Sequence, residues 1–394
     1  MLDGIRIVSF NHFLMGPFGI QHLADLGADV IALEPIGGAW QRKWGGGNRK
    51  VDGESVLFLA ANRNKRSLAI NLKSAEGLEI AKKLVKTADV VSENYRPGVM
   101  KNFGLDYEAA KTIKPDIIYA SASGYGQTGP YVDRPGQDLL IQAMAGIAAI
   151  TGTKESARTV GVSVVDHHGA ALLAMGILAA IVRKQRTGQG CHVDVSLLQA
   201  AIDLQMESFT TYLNGPKPES IRQPAHVGGW YYGSPYGIYK ASDGELVISL
   251  TPLPLLSKVL DIPELAAMDG NAWFARREEI AALVQKKVTT RTRGEWFDLF
   301  EKSEVWYAPV NDYEDVLKDP QVKHNEAFMT LKSATGSDIM LVRHPVRFDG
   351  KGRGVTLPPQ KLGAQTADVL REIGYDDAEI DRLAKNGVVE KDTK

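Results

Sequence analysis

The sequence of 394 residues predicts an α/β protein whose mostly parallel sheet is covered by helices. The first observation is a set of short apolar runs, which we interpret as buried strands at 5–10, 30–34, 68–72, 89–93 and 116–121. The second is the helical periodicity between them. Ser74, for example, precedes a segment whose Leu78, Ala81 and Leu84 fall on one helix face. Strands that alternate with helices pair in parallel through helical crossovers.

The alternation of helices and strands continues beyond residue 121. A long helix is predicted after Asp166, running to a stop in the glycine-rich stretch 187–190. A strand at 192–196 and another helical pattern follow.

A change in composition at 214–218 predicts a linker over 214–224 and a second, smaller unit from about residue 225. This unit contains two strands, 237–240 and 245–250, with a turn at Ser242, Asp243 and Gly244, and helices around 277–288 and 294–302. We therefore expect a small α/β or α+β domain. A glycine- and proline-rich stretch at 349–365 leads to a helix at 366–373, which we expect to return to the first domain.

The composition limits the classes of partner. The 46 basic and 47 acidic side chains nearly cancel, so no field of the whole molecule favours nucleic acid or an anionic membrane. The single cysteine, Cys191, excludes a disulfide framework and a cysteine-based metal site. We find no secretory signal pattern and no apolar run of roughly 18 to 20 residues. We therefore expect a soluble, cytoplasmic protein without nucleic acid or membrane partners.

Asp166 is the leading candidate for catalysis. It closes the apolar run 160–165, interpreted as a buried strand, and opens the small-residue stretch 169–176. A carboxylate at such a junction lies near a helix N-terminus, whose free N–H groups and dipole favour the ionised form. We therefore predict a reactive anion at neutral pH. From position alone, a simple helix cap is the alternative.

Four polar clusters follow predicted strands, where open α/β sheets build their sites: residues 12–17, 62–66, 93–98 and 123–130. Several combine cationic side chains with glycine and asparagine, which suits phosphate groups. The first loop lacks G-x-G-x-x-G, which argues against a nicotinamide dehydrogenase. No zinc spacing and no G-x-S-x-G is present, so we expect no metal and favour carboxylate chemistry. Asp138, which enters an apolar helix, is the second acidic candidate.

The chain resembles the class III CoA-transferases, a family that includes formyl-CoA and carnitine CoA-transferases and 2-methylacyl-CoA racemases. The resemblance rests on LADLGADVI at 23–31, NRNKRS at 62–67, ENYRPG at 93–98, GYGQTGP at 124–130 and TGQGCHVDVS at 187–196. These motifs are ordered along the first 200 residues, and a weaker match covers 363–388.

The resemblance implies a Rossmann-like large domain from residues 1–213 and 346–394, a small domain at 225–345, and an interlocked homodimer. Asp166 falls on the family's nucleophilic aspartate, which attacks an acyl-CoA to give a mixed anhydride and then an aspartyl-CoA thioester. A carboxylic acid acceptor takes over the CoA by the reverse steps. Gly228 and Gly229 resemble the family's glycine loop.

The resemblance also implies a CoA site in which CoA is a substrate and no cofactor is tightly bound. The positions that match family contacts or line the candidate acyl pocket are His12, Phe13, Leu14, Ile70, Leu72, Lys73, Asn94, Tyr95, Arg96, Gln137 and Asp138. Pro35 and Asn102 stand where some members place arginines. For the phosphates we therefore consider Arg42, Lys73, Arg96 and Lys101.

Two alternatives remain at this point. A racemase needs two opposed acid/base groups, and in racemases a histidine precedes the equivalent of Asp138. Gln137 stands there instead, and an amide does not exchange a proton at neutral pH. A non-catalytic acyl-CoA binder is the other alternative, which the Asp166→Ala variant separates from an enzyme.

Overall fold

The computed structural model describes residues 1–268 and 271–392. Its strands, in chain order, are β1 (Arg6–Phe10), β2 (Asp29–Glu34), β3 (Lys50–Val51), β4 (Glu54–Ser55), β5 (Lys65–Ile70), β6 (Val90–Glu93), β7 (Ile118–Ser123), β8 (His192–Ser196), β9 (Gly237–Lys240), β10 (Glu245–Ile248), β11 (Tyr307–Pro309), β12 (Phe328–Lys332), β13 (Asp338–Val342), β14 (Arg347–Phe348), β15 (Lys351–Gly352) and β16 (Val389–Glu390).

The α-helices are α1 (Met15–Asp25), α2 (Val56–Ala61), α3 (Ala75–Thr87), α4 (Val99–Asn102), α5 (Tyr107–Ile113), α6 (Asp138–Met144), α7 (Ile147–Thr151), α8 (Val164–Thr187), α9 (Leu197–Asp203), α10 (Met206–Asn214), α11 (Leu253–Leu260), α12 (Pro263–Ala266), α13 (Ala272–Ala275), α14 (Arg277–Val288), α15 (Arg293–Glu301), α16 (Tyr313–Lys318), α17 (Pro320–His324), α18 (Thr366–Glu372) and α19 (Asp377–Lys385). Short 3₁₀ turns occur at Trp40–Arg42 and Gly46–Asn48.

The first unit is built on a seven-stranded sheet in the order β16-β5-β2-β1-β6-β7-β8. Six of these strands pair in parallel, and β16 joins the edge antiparallel to β5. The predicted α/β class with a mostly parallel sheet is therefore confirmed. The helix predicted after Ser74 is α3, and the Ser74 hydroxyl accepts a hydrogen bond from the Gly77 amide.

Two predicted strands are displaced along the chain. β5 begins at Lys65 rather than residue 68, and β7 covers Ile118–Ser123 rather than 116–121. The start of β5 was missed because Lys65 and Arg66 are charged. The fold satisfies them internally: Lys65 donates to two backbone carbonyls at 2.7 Å, and Arg66 pairs with Asp29 at 2.8 Å.

Apolar side chains from α3, α5, α18 and α19 form a buried core with the sheet residues Val8, Ile31, Leu68 and Tyr119. Elsewhere in this unit, α1 packs closely against α8. Glycine makes this approach possible, because a Cβ at Gly19 would lie 2.9 Å from the Ala170 carbonyl oxygen. The start of α1 and the start of α8 therefore have fixed relative positions.

The helix α8 corrects one expectation from the sequence. Its 24 residues are long and apolar enough to cross a membrane by length and composition, although we expected no such run. The core helix of a globular domain passes the same test, so this property alone does not assign α8 to a membrane. Nearly half (44%) of its most apolar window is buried within the protein.

The second unit contains the antiparallel sheet β11-β10-β9 and the helices α11 to α15, which share a core that includes Trp296, Phe300, Tyr239 and Leu246. The predicted turn joins β9 to β10, and the Ala241 amide donates to the Gly244 carbonyl at 2.8 Å. The strand β11 was not predicted, because three residues ending in proline carry little strand pattern.

The compact units divide the chain differently from the predicted domain limits. The first comprises 1–141, 163–204 and 323–394, and the second comprises 142–162 and 205–322. Residues 323–345 join the first unit because Ile339 and Leu341 of β13 pack with Phe58 and Leu59 of α2. Residues 142–162 join the second, where Gln205 donates to the Ala145 carbonyl at 2.9 Å.

Candidate active site

The strands β1, β6 and β7 are neighbours in the parallel sheet, so the loops that follow them emerge at one edge. Two of these loops are joined by Asn94. Its side chain accepts a hydrogen bond from the His12 amide and donates one to the His12 carbonyl, both at 2.8 Å. The structure therefore brings together the predicted positions His12 to Leu14 and Asn94 to Arg96.

Aromatic rings extend from this junction. The His12 ring lies 5.1 Å from that of Phe13 and 5.0 Å from that of Tyr95, and burial lowers the pKa of His12 to about 4. Phe13 in turn lies 5.2 Å from Trp40, which stacks on Trp44 at 4.8 Å. The two tryptophans were not predicted. The available signal was their spacing of four residues in the segment between β2 and β3.

Asp166 lies in the first turn of α8, as predicted, but no strand precedes it. The residues before α8 are irregular, and Val162 is exposed. The run 160–165 was misread because its valines have strand character but find no neighbouring strand.

The N-terminus of α8 is capped by a different carboxylate. Asp138 Oδ2 accepts hydrogen bonds from the amides of Val165 at 2.8 Å and Asp166 at 3.2 Å. Asp138 is itself buried at the start of α6. Two of the N–H groups that were expected to stabilise the Asp166 anion are thus used by Asp138.

The pKa of Asp166 is correspondingly high. Burial raises it from the usual 3.8 to about 7, and the nearby Asp138 carboxylate adds to the increase. The predicted anion is therefore only about half populated at pH 7, because loss of hydration outweighs the effect of the helix N-terminus. In the described part of the chain, no group donates a hydrogen bond to the Asp166 carboxylate. A carboxylate in this state is more basic, and therefore a better nucleophile, than one in water.

The turn that carries Asp166 lies against α1. The His167 ring is 5.2 Å from the Phe18 ring, and its Nδ1 lies 2.7 Å from the Ser163 carbonyl oxygen. Further along α8, a Cβ at Gly169 would be 2.9 Å from the end of the Met15 side chain. The structure therefore places the first loop, the start of α1 and the start of α8 in one region.

The cationic candidates separate into two groups. Lys73, Arg96 and Lys101 are exposed and remain candidates for the CoA phosphates. Arg42 is buried, donates to Glu34 at 2.6 and 2.7 Å and to Glu54 at 2.9 Å, and lies over the Phe58 ring. Its internal ion pairs argue against the predicted role as a phosphate ligand.

The cluster 62–66 is also corrected. It precedes β5 and enters it, rather than following a strand. Arg63 forms a buried pair with Asp25 at 2.7 Å, and burial lowers the pKa of Lys65 to about 7. These cations serve the fold, because each has internal partners and little access to a ligand.

The remaining predicted positions differ in their surroundings. Ile70 is a core residue of β5 that pairs with Val389, so it is too buried for the predicted adenine contact. Leu72 packs on the same core, and Gln137 is exposed. In the second unit the Gly228 amide donates to the Tyr236 carbonyl at 2.7 Å. Gly228 also adjoins the Tyr236 ring so closely that a Cβ would collide with it. The roles of Gly228 and Gly229 stay predictions.

The sequence analysis includes Glu93, the last residue of β6, in the cluster 93–98 but assigns it no role of its own. It is buried, and its carboxylate accepts a hydrogen bond from the Tyr95 amide at 3.0 Å. The available signal was a glutamate that ends a buried strand directly before a candidate binding loop. No group of three or more His, Cys, Asp or Glu side chains within 1–268 and 271–392 could hold a metal.

Comparison with known proteins assigns the family. The model of CoA-transferase family III matches residues 2–366. A succinyl-CoA:glutarate CoA-transferase from Mus musculus is 35% identical over 403 residues, covering 99% of this chain and 90% of that protein. An acetyl-CoA:oxalate CoA-transferase from Acetobacter aceti is 32% identical over 388 residues, covering 95% and 96% respectively.

Solved structures agree with this assignment. The crystal structure of a CAIB/BAIF family protein from Brucella suis superimposes with a TM-score of 0.81 at 32% identity, covering 94% of this chain and 99% of that one. With the family model matching nearly the whole chain, this protein belongs to the class III CoA-transferase family and is an enzyme that transfers CoA from an acyl-CoA to a carboxylic acid.

Proposed function

We propose that Asp166 is the nucleophile of this CoA transfer. The observation that carries the proposal is its desolvated carboxyl group in the first turn of α8, with a pKa raised to about 7 and no internal hydrogen-bond donor among the described residues. Burying a carboxylate in this way costs stability, which is typical of groups retained for chemistry. The hydrogen bonds from Val165 and Asp166 to Asp138 fix the turn, and the charge of Asp138 also contributes to the raised pKa of Asp166.

The first half of the reaction loads CoA onto the enzyme. An Asp166 oxygen attacks the thioester carbonyl of the donor, the carbon–sulfur bond breaks, and CoA leaves as a thiolate from a mixed anhydride. The thiolate then attacks the side-chain carbonyl of Asp166, which releases the donor acid as a carboxylate and leaves an aspartyl-CoA thioester. Because CoA is held covalently on Asp166, the donor acyl-CoA and the weakly nucleophilic acceptor acid do not have to react with each other directly.

The second half reverses these steps with a new acid. The acceptor carboxylate attacks the aspartyl thioester and expels the CoA thiolate. The thiolate attacks the acceptor acyl group of the new anhydride, so that Asp166 leaves as a free carboxylate. No net proton is consumed, and the enzyme returns to its starting state.

For CoA we propose a site at the edge of the sheet formed by the loops after β1 and β6. The exposed Arg96 and Lys101, with Lys73 after β5, supply positive charge for the phosphates. The aromatic groups of Phe13 and Tyr95 border the Asn94 junction and offer apolar area. CoA is a substrate in this proposal, and no tightly bound cofactor is required.

The acceptor that we propose is a dicarboxylic acid. The support comes from the acids on which two relatives act: one is a succinyl-CoA:glutarate CoA-transferase and the other is an acetyl-CoA:oxalate CoA-transferase. Succinyl-CoA with glutarate is the first pair to test, because the former relative has the higher identity.

We also propose a homodimer, interlocked as the family resemblance implies, in the cytoplasm and without nucleic acid or membrane partners. The support for assembly is the outward face of α8, where Met175 and Val182 are 60% and 45% exposed. Large apolar side chains on one helix face are typical of an interface with another subunit. The nearly balanced charge supports the absence of nucleic acid partners.

The function is tested by chromatography of CoA thioesters after incubation of succinyl-CoA with a panel of mono- and dicarboxylic acids. We expect a new acyl-CoA with wild type and none with Asp166→Asn, whereas Asp133→Asn, which changes an exposed carboxylate, keeps wild-type activity. Full transfer by Asp166→Asn would contradict the nucleophile. Inversion of a 2-methylacyl-CoA without transfer would favour the racemase.

A further inference from the structure

Glu93 is a buried ionisable group for which the transfer chemistry has no use. Only 5% of its surface is exposed, and burial raises the pKa of its carboxyl group to about 7. An ionisable side chain in such a place lowers the stability of the fold. We therefore expect it to perform a task that a neutral residue cannot perform equally well. Its surroundings indicate what the task is.

The first contact of Glu93 is with the loop that it precedes. Glu93 Oε2 accepts a hydrogen bond from the Tyr95 amide at 3.0 Å, and this bond closes a tight turn at the end of β6. Asn94, between them, holds both backbone groups of His12 at 2.8 Å. The loop is therefore fixed by two sets of hydrogen bonds: those of Asn94 join it to the loop after β1, and that of Glu93 joins it to the end of β6. Arg96, the exposed cation of the loop, follows directly after Tyr95.

The second set of contacts holds Glu93 itself. In the sheet register Glu93 lies beside Ser121 of β7, and Ser121 lies beside Asp194 of β8. The Ser121 hydroxyl faces the Glu93 carboxylate and lowers its pKa, which partly offsets the larger effect of burial. The Ser121 hydroxyl also lies 2.9 Å from His192 Nε2.

The last group of this row is fixed by packing. The His192 ring stacks on Tyr107 at 5.0 Å and meets Tyr119 edge-on at 5.6 Å. Three adjacent strands thus contribute a connected row of polar groups, from His192 through Ser121 to Glu93, that ends at the Tyr95 amide. Hydrogen-bonded polar groups restrain one another, most strongly at the buried Ser121 and Glu93, because each lost contact there leaves a neighbour unsatisfied.

We propose that Glu93 is a positioning residue for CoA, which fixes the loop 94–96 through the Tyr95 amide and is held by Ser121 and His192. This inference rests on the proposed CoA site at that loop. Glu93 itself does not touch the reacting atoms. Its loss loosens the loop, so that binding of CoA must order the loop and the affinity falls.

Kinetics with the acyl-CoA donor varied test this role. We expect Glu93→Ala to raise KM for succinyl-CoA by about tenfold, the effect of losing one charge-assisted hydrogen bond, with kcat within about twofold of wild type. Glu93→Gln keeps an acceptor oxygen for the Tyr95 amide, so it restores KM to within about threefold. Ser121→Ala raises KM by a smaller factor, and it provides the test if Glu93→Ala does not fold.

Ser257→Ala is the matched control. Ser257 is a buried serine of α11 whose hydroxyl donates to the Ile262 carbonyl at 2.8 Å, and it belongs to the second unit, whereas the loop 94–96 belongs to the first. We expect it to leave KM unchanged. A general loss of stability without a change in KM in the Glu93 and Ser121 variants would overturn the positioning role, as would a fall in kcat at constant KM.

Equilibrium binding separates this inference from the proposed function. Calorimetric titration of CoA into the Asp166→Asn variant measures binding without chemistry, and adding Glu93→Ala to that variant should weaken binding by about tenfold. Weak CoA binding by Asp166→Asn alone, at the level of a protein without a site, would contradict the proposed CoA site. Binding that is unaffected by Glu93→Ala contradicts only the role of Glu93.

Discussion

Replacing Asp166 by asparagine is expected to stabilise the protein while abolishing transfer. Asparagine resembles the protonated carboxyl group in shape and has no charge to desolvate. In wild type the pKa of Asp166 rises from 3.8 to about 7 on folding, chiefly because of burial. The folded protein therefore holds the proton more tightly than the unfolded chain, and ionisation at neutral pH opposes folding.

The magnitude follows from this difference in pKa. Each tenfold change in proton affinity is worth about 1.4 kcal/mol, so the full effect above pH 7 is about 4 kcal/mol. Asp166 is only half-buried, and screening by water reduces the expected gain to roughly 2 kcal/mol. Below pH 3.8 the carboxyl group is protonated in both states and the variant gains nothing. The gain grows as pH rises from about 4 to 7 and is constant above that.

Urea unfolding at pH 5 and pH 8 measures this gain. We expect the free energy of unfolding of Asp166→Asn to exceed that of wild type by roughly 2 kcal/mol at pH 8 and by less than half of this at pH 5. The control Asp133→Asn, which changes an exposed carboxylate, should show no such dependence. Equal stability of Asp166→Asn and wild type at both pH values would refute the reasoning that desolvation perturbs this group.

Four further outcomes follow from the site. With Asp166 as the nucleophile, kcat/KM for the acyl-CoA donor should rise with pH to a plateau, with a midpoint near pH 7; a pH-rate profile checks this, and a midpoint near 4 would contradict it. Asp138→Ala removes both capping hydrogen bonds of α8, so the free energy of unfolding should fall by about 1 to 3 kcal/mol and kcat should fall as well. An unchanged kcat would show that catalysis does not require the cap. Arg96→Ala should raise KM for the donor about tenfold without a change in stability. Arg42→Ala should instead lower the free energy of unfolding by about 3 kcal/mol or more, because Glu34 is left buried without its partner. A rise in KM for the donor in Arg42→Ala, without a loss of stability, would reverse these assignments.

The parallel sheet could be predicted from the sequence because buried strands in such sheets are short apolar runs with helical segments between them. The strand β8 and the helix α14 have the predicted bounds, since glycine or polar residues mark their ends. The start of β5 could not be read from the pattern. Lys65 and Arg66 resemble a loop until the internal acceptors and carboxylates that satisfy them are known.

The site was predictable in its loops but not in its electrostatics. The positions of His12, Asn94 and Asp166 followed from motifs at strand and helix ends. The cap that Asp138 provides to α8 joins residues 28 apart in sequence, so no local pattern shows it. The same contact takes up the N–H groups that a local argument assigns to Asp166, while burial, which no local pattern shows, raises the pKa of Asp166 to about 7. Arg42 was misassigned for a related reason, because charge in a sequence does not show which cations are paired.

The central claim is that CoA is carried covalently on Asp166, and intact-protein mass spectrometry tests it most directly. Wild type and Asp166→Asn are incubated with succinyl-CoA and then treated with hydroxylamine, which converts an aspartyl thioester or anhydride into the hydroxamate. We predict a modified wild-type protein, with the change located at Asp166 by peptide mapping, and an unmodified variant. Turnover by wild type with no adduct at Asp166, or an adduct on another carboxylate, would contradict the account.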